Sequence, residues 1–203
     1  MKICLKLIKY IWGNLVCERG IIMIFAFFAN GFEEVEAITP VDYLKRAGVD
    51  VVTVGVGNLE IEGAHGIVIR CDMTDSDIAP SDNTDGIILP GGMPGTINLE
   101  KNDTVQRFID YCTDNNKMIA AICAAPSVLG HKGLLDGKKA TCFPGFENDL
   151  GNAILSDRYA VCDGNIITAK GAGAASEFAF EIISYLVSSE KADEIRKTVQ
   201  TCY

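Results

Sequence analysis

The 203-residue chain predicts an α/β fold, a doubly wound and mostly parallel sheet with helices on both faces. Three observations predict it. From residue 21 onward strand-like and helix-like segments alternate, the pattern of successive βαβ units. The run 21–28 is apolar at every position, as a parallel strand buried on both faces requires. The strand-like runs also end in turns of glycine or other small residues, and helical periodicity resumes after them.

The elements follow in order. Asn30-Gly31 turns the chain after the first strand. Residues 33–47 then carry Val35, Ile38, Val41 and Leu44 at helical spacing, and Gly48 closes the helix as a C-cap. Residues 49–56 read as the second strand. Residues 59–69, with Gly63 and Gly66 among β-type residues, read as a hairpin. A third core strand, 85–89, runs into the turn Pro90-Gly91-Gly92-Met93-Pro94-Gly95, and residues 102–115 are helical by pattern. Residues 117–122 form the strand that delivers Cys123, and small residues with Pro126 open a helix behind it. Residues 158–162 and 165–168 pair as a hairpin across Asp163-Gly164, and 174–187 is the last long amphipathic helix. The chain therefore divides into an extension at 1–20, one domain at 21–190 and a polar tail at 191–203.

Composition narrows the function classes. A chain with 48% hydrophobic and 22% charged residues is globular rather than disordered. A net charge of −9 with no basic stripe excludes nucleic acid as a standing partner. The eight cysteines are irregularly spaced, with no CxxC pair and no histidine at ligand distance, so no metal site is expected. Disulfide frameworks belong to small secreted domains, so reduced thiols and a cytoplasmic location are expected. The first twenty residues stand apart, with Lys2, Lys6, Lys9 and Arg19 against Glu18, and with Leu5, Ile8, Trp12 and Leu15 at helical spacing. A membrane-interface anchor, a secretory signal and an upstream extension all compete to explain them. Gly13, Asn14, Glu18 and Arg19 interrupt any signal core, and no span approaches the roughly 20 apolar residues of a membrane helix. The extension reading is preferred, and no membrane partner is expected.

The stretch Met118-Ile119-Ala120-Ala121-Ile122-Cys123-Ala124-Ala125-Pro126 carries the chemistry. It sets a thiol on a tight strand-to-helix turn, where free backbone N–H groups and the helix dipole favour thiolate. Such a cysteine is a nucleophile or a redox sensor; the plainer reading is a buried structural cysteine. In an open parallel sheet, the turn at Cys123, the Pro90-Gly91-Gly92 turn and the Asn30–Glu36 segment meet at one crevice beyond the carboxyl ends of the strands. There Gly92 and Ala124 would offer backbone N–H groups to an oxyanion; a plain turn is the other reading. Among the acids, Glu33 and Glu34 read as ordinary helix-start residues. Glu36, flanked by Val35, Ala37 and Ile38, is the candidate for an acid drawn inward, where burial raises a carboxyl pKa, although spacing alone leaves a plain surface acid as an equal reading. Histidine is scarce. His131 lies about 12 Å along the helix from Cys123 at 1.5 Å per residue. His65 sits at a loop tip, so no Cys-His dyad is visible.

These residues resemble the DJ-1/PfpI family, also called ThiJ/PfpI, and its DJ-1-like branch in particular. The resemblance rests on GFEEVEAITPVDYLKRAG, ILPGGMPGTINL, AAICAAPSVLG and AKGAGAASEFAFEI, in that order along the chain. It implies a flavodoxin-like sandwich of the class I glutamine-amidotransferase type, and a homodimer. It also implies an oxidisable, nucleophilic Cys123 hydrogen-bonded to a protonated Glu36, with Gly92 and Ala124 as backbone donors. The activities it implies are cofactor-free glyoxalase chemistry on a small reactive aldehyde, deglycation of a glycated substrate, and redox-regulated chaperoning. Peptidase action belongs to PfpI relatives with a histidine directly after the cysteine, where this chain has Ala124. Some relatives also place a histidine before the proline matching Pro144. Here that residue is Phe143, which leaves proton transfer to Glu36 alone.

Overall fold

The computed structural model describes residues 22–201, so the expectations for 1–20 and for the last two residues lie outside it. Strand β1 (Met23–Phe28) leads to helix α1 (Glu34–Arg46) and strand β2 (Asp50–Gly55). A hairpin follows, β3 (Glu60–Glu62) and β4 (Val68–Arg70), then the short edge strand β5 (Met73–Thr74) and core strand β6 (Gly86–Leu89). Next come α2 (Gly95–Lys101), α3 (Asp103–Asp114), β7 (Met118–Ile122) and α4 (Pro126–His131). Two short strands, β8 (Lys139–Ala140) and β9 (Ile154–Leu155), precede β10 (Ala160–Asp163) and β11 (Ile166–Ala169). Helices α5 (Ala175–Leu186) and α6 (Ser189–Thr198) complete the described chain.

Seven strands form the central sheet in the order β10-β11-β7-β6-β1-β2-β5, parallel throughout except for β10, which runs antiparallel to β11. β1 pairs with β2 on one side and β6 on the other, so the order reverses at β1 and opens a crevice beyond its carboxyl end. β6 and β7 are buried at every position, which explains their unbroken apolar runs. Phe28, Ala37, Leu44, Phe178 and Ile182 pack into one buried layer on the α1 and α5 side of the sheet. Phe27, Val105, Phe108, Ile109 and Leu129 pack into the other, on the α3 and α4 side. This is the flavodoxin-like α/β fold expected from the alternation of elements.

The local signals act as expected where they are strong. The Glu33 carboxylate caps α1 by accepting the Glu36 N–H at 2.7 Å, and Asn102 caps α3 by accepting the Val105 N–H at 3.0 Å. The expected C-terminal tail is a correction. Residues 189–198 form α6, capped by Ser188, and Ala192 and Ile195 are buried against the core. Only two buried apolar residues anchor this helix, so its sequence carries almost no hydrophobic stripe. The short elements α2, β5, β8 and β9 also escaped the sequence reading, since each is seven residues or fewer and offers little periodicity. No helix among the described residues is long and apolar enough to cross a membrane.

Candidate active site

Five backbone segments meet at the carboxyl edge of the sheet. The β1–α1 connection brings Glu36, which the Glu33 cap fixes in the first turn of α1. The turn after β6 brings Gly91 and Gly92, and the end of β7 brings Cys123 and Ala124. The segment after β8 supplies Phe143, and the one after β11 supplies Gly171 and Ala172.

Cys123 sits at φ +65, in the left-handed region that costs a side-chain-bearing residue about 1–2 kcal/mol. Two bonds hold it there: its N–H donates to the Ala169 carbonyl at 2.9 Å, and its carbonyl accepts the Phe143 N–H at 2.9 Å. The sulfur receives the N–H groups of Gly92 and Ala124, and the thiol is hydrogen-bonded to Glu36. Glu36 is only 1% exposed. Its Oε2 accepts the Gly91 N–H at 3.0 Å, and the carboxyl also accepts the Ala172 N–H.

Glycine makes this approach possible. A Cβ on Gly91 would stand 2.5 Å from the Cys123 Cβ and 2.6 Å from Glu36 Oε2, so a methyl there would occupy the space that the acid and the thiol share. The β1–α1 connection that leads into Glu36 and the Gly91-Gly92 turn are clasped backbone to backbone. Cβ atoms on Gly31, Gly92 and Gly95 would stand 2.5 Å from Pro94 Cδ, 2.5 Å from the Gly31 carbonyl and 2.6 Å from the Phe32 nitrogen, respectively. Across the clasp, the Glu33 N–H donates to the Gly91 carbonyl at 3.0 Å.

The electrostatics correct one expectation. Burial, helped by the charge of Glu33, raises the Glu36 carboxyl from 4.5 to about 7 against the pull of its hydrogen bonds. The sequence alone suggested a thiol ionised near neutrality. Instead burial, followed by the charge and hydrogen bond of Glu36, pushes the Cys123 thiol up to about 12, although the Gly92 and Ala124 N–H groups draw it down. The helix behind the turn, α4, has only six residues, too few to build the dipole that the sequence pattern suggested. Glu36 opposes the thiolate only while ionised; once protonated it donates to sulfur and favours it.

The four residues singled out from sequence, Cys123, Glu36, Gly92 and Ala124, are thus brought together. Gly91 and Ala172 were missed as partners of Glu36, because their roles depend on strands distant in sequence. Glu34 is another correction: it is no ordinary helix-start acid. Buried at 7% exposure, it accepts the His65 N–H at 2.8 Å and the Ile67 N–H at 3.4 Å, and it meets His65 Nδ1 at 2.7 Å, pinning the β3–β4 hairpin to α1. His65 itself stays exposed, and His131 is engaged by Glu100 at 2.6 Å and Asp149 at 3.7 Å. Among the described residues, Glu33, Glu34 and His65 could gather around a cation, their ligand atoms lying within 4.8 Å of one another. Glu33 and Glu34 already serve as cap and hairpin latch.

The fold and this turn define a class: flavodoxin-like α/β proteins with a cysteine on a left-handed strand-to-helix elbow and a buried acid beside it. The chain belongs to the DJ-1/PfpI family, whose sequence model matches residues 22–185. It is 35% identical over 178 residues to protein dj-1beta of Drosophila melanogaster, covering 86% of this chain and 95% of that one. It is 37% identical over 170 residues to protein DJ-1 homolog B of Arabidopsis thaliana, covering 82% of this chain but only 39% of that longer protein. Deglycase PfpI of Pyrococcus furiosus is 32% identical over 161 residues, covering 78% of this chain and 95% of its own. The structure of oxidized DJ-1 from Toxoplasma gondii superposes with a TM-score of 0.85 at 29% identity, covering 90% of this chain and all of that one (100%).

Proposed function

We propose that the protein is a cofactor-independent cysteine enzyme acting on small reactive carbonyls, in the manner of a glyoxalase or deglycase. The observation that carries this reading is the buried Glu36 carboxyl, raised to about 7 and hydrogen-bonded to the Cys123 thiol. An acid with that pKa is a proton carrier at neutral pH, half in each form. The likeness to a relative named a deglycase supports the same class.

For a 2-oxoaldehyde the steps balance within the substrate. As the Glu36 carboxylate takes the thiol proton, the Cys123 sulfur bonds to the aldehyde carbon. The carbonyl electron pair moves to oxygen, facing the Gly92 and Ala124 N–H groups. The oxygen is protonated to give the hemithioacetal. Glu36 then removes the hydrogen of that carbon as a proton and returns it to the neighbouring carbon. The hydroxyl proton on the first carbon's oxygen passes to the second oxygen, so the first carbon is oxidised to a thioester while the second is reduced to an alcohol. Water cleaves the thioester, releasing a 2-hydroxy acid and restoring the thiol. No metal, organic cofactor or outside oxidant enters. A cytoplasmic setting, where thiols stay reduced, suits this chemistry. The test is consumption of methylglyoxal: wild type should turn it over, and Cys123→Ala should not. Equal consumption by the two ends the proposal.

A second reading is favoured by Phe143, which leaves Glu36 as the one proton carrier beside the sulfur. Here Cys123 is a redox sensor, oxidised to a sulfinate that the Gly92 and Ala124 N–H groups and a protonated Glu36 would hold. Selective oxidation of Cys123 by mild peroxide, seen by intact mass, together with negligible aldehyde turnover, supports the sensor.

A homodimer is part of the same proposal. Val35 and Ile38 on α1 are 49% and 37% exposed and Ile67 and Val68 of the hairpin 54% and 55% exposed, and Glu34 ties the two elements by accepting the His65 and Ile67 N–H groups. An apolar face of this kind suits a self-complementary contact.

A further inference from the structure

We propose that Phe143 is a specificity-determining residue that makes the pocket select 2-oxoaldehydes carrying an aryl group over unsubstituted glyoxal. The inference rests on the carbonyl-directed reading and names its substrate class. The Phe143 backbone is tied to the nucleophile, its N–H donating to the Cys123 carbonyl at 2.9 Å. Its ring lies over Gly171, the residue that also borders the acid. A Cβ built on Gly171 would stand 3.1 Å from Phe143 Cδ2 and 3.6 Å from Glu36 Oε1, so the ring packs on this bare position and a methyl there would press on it. Phe143 is nevertheless 48% exposed, an apolar residue left open beside a reactive site.

The chemistry fixes which part of the substrate meets that surface. The aldehyde carbon bonds to sulfur, and its oxygen turns toward Gly92 and Ala124. The second carbon must lie against Glu36, because the proton passes between the two carbons there. Any substituent on the second carbon then projects away from the buried acid, along the open side of the Phe143 ring. A phenyl ring there neither donates nor accepts a hydrogen bond, so hydroxyl or phosphate substituents gain little from it. An aryl substituent buries apolar area and stacks, an advantage of about threefold to tenfold.

The experiment compares kcat/KM for phenylglyoxal with that for glyoxal in wild type, Phe143→Ala and Gly171→Ala, with melting temperature as the folding control. The phenylglyoxal preference should fall by about threefold to tenfold in both variants, as the stacking surface is lost in one and pushed aside by the new methyl in the other. A second measurement needs no turnover. Phenacyl bromide alkylates Cys123 with a carbon–sulfur bond forming and bromide leaving; its rate relative to iodoacetamide, each normalised to free glutathione, should fall similarly in Phe143→Ala. An unchanged alkylation ratio together with an unchanged kcat/KM ratio overturns the slot. A fall in the alkylation ratio, with no consumption of either glyoxal by wild type, overturns the carbonyl reading instead and leaves an aryl-selective slot on a sensor cysteine.

Discussion

Glu36 and Cys123 face one another across the side chain that Gly91 lacks. Oε2 of the acid lies 2.6 Å, and Cβ of the cysteine 2.5 Å, from the point where a Gly91 Cβ would stand. The acid, the thiol and the bare turn are therefore a single packing unit, and substitutions in it should read out on stability and chemistry together.

Gly91→Ala is expected to cost about 1–3 kcal/mol, the usual range for overpacking a well-filled site. For a chain of this size that is roughly a 2–12 °C fall in Tm, and Cys123 alkylation should slow in parallel. Thermal unfolding and iodoacetamide kinetics on the same preparation check both effects. An unperturbed Tm would show that the turn yields without loss.

Glu36→Gln should stabilise the protein at pH 8 and not at pH 4.5. The carboxyl carries a folded-state pKa of about 7 against 4.5 for the free group. Its contribution is therefore fully present below 4.5 and is lost as pH rises through 7. At about 1.4 kcal/mol per unit, the wild type gives up about 3 kcal/mol over that window, while the amide has no proton to lose. Denaturant unfolding of both proteins at several pH values measures the difference, which should grow with pH.

The same substitution should remove an inflection from the thiol's reactivity. Wild-type Cys123 alkylation should rise through pH 7 as Glu36 becomes a base, with a single step because no histidine shares the site. The Gln variant should be slower by about tenfold or more at pH 8 and should show only the late rise of an unaided thiol. A wild-type profile without the step near 7 would remove Glu36 from the proton path.

Cys123→Gly should be more stable than Cys123→Ala by about 1 kcal/mol, because only glycine adopts φ +65 without strain. Both variants remove the sulfur and its burial, so their difference isolates the backbone. Equal melting temperatures would mean that the elbow is unstrained.

Val35→Glu on the outer face of α1, where Val35 is 49% exposed, should shift the protein toward the monomer without unfolding it. Sedimentation velocity at matched concentrations reads this directly; a wild type that is already monomeric sinks the dimer proposal.

Much of the architecture was legible in the sequence, because the strands that build it are buried on both sides. The runs at β1, β6 and β7 have no polar position to confuse their assignment, and Asn102, Gly48 and Asp163-Gly164 mark boundaries by local chemistry alone. Helix α6 was not legible, because two inward residues make no stripe; its signals were the Ser188 cap, Glu190 in the first turn and Arg196 with Lys197 in the last. Cys123, Gly92 and Ala124 could be read because turns at strand ends announce themselves, whereas spacing alone left Glu36 open and the family resemblance singled it out. What Glu34 does could not, since nothing at position 34 reveals a hairpin thirty residues away folding onto it. Nor could the balance at sulfur. Donors that favour its charge are visible as turn residues, whereas the burial that opposes it depends on the whole layer around α1 and α5.

The glycines of the clasp carry a lesson for reading variation in this chain. Gly31, Gly92 and Gly95 are hemmed in by main-chain atoms that no rotamer change can move aside. In a saturation library selected only for folded protein, these three codons should stay glycine even in clones where Cys123 has been replaced. Their persistence reports on assembly of the crevice, and intolerance at these positions is no measure of whether the thiol still works.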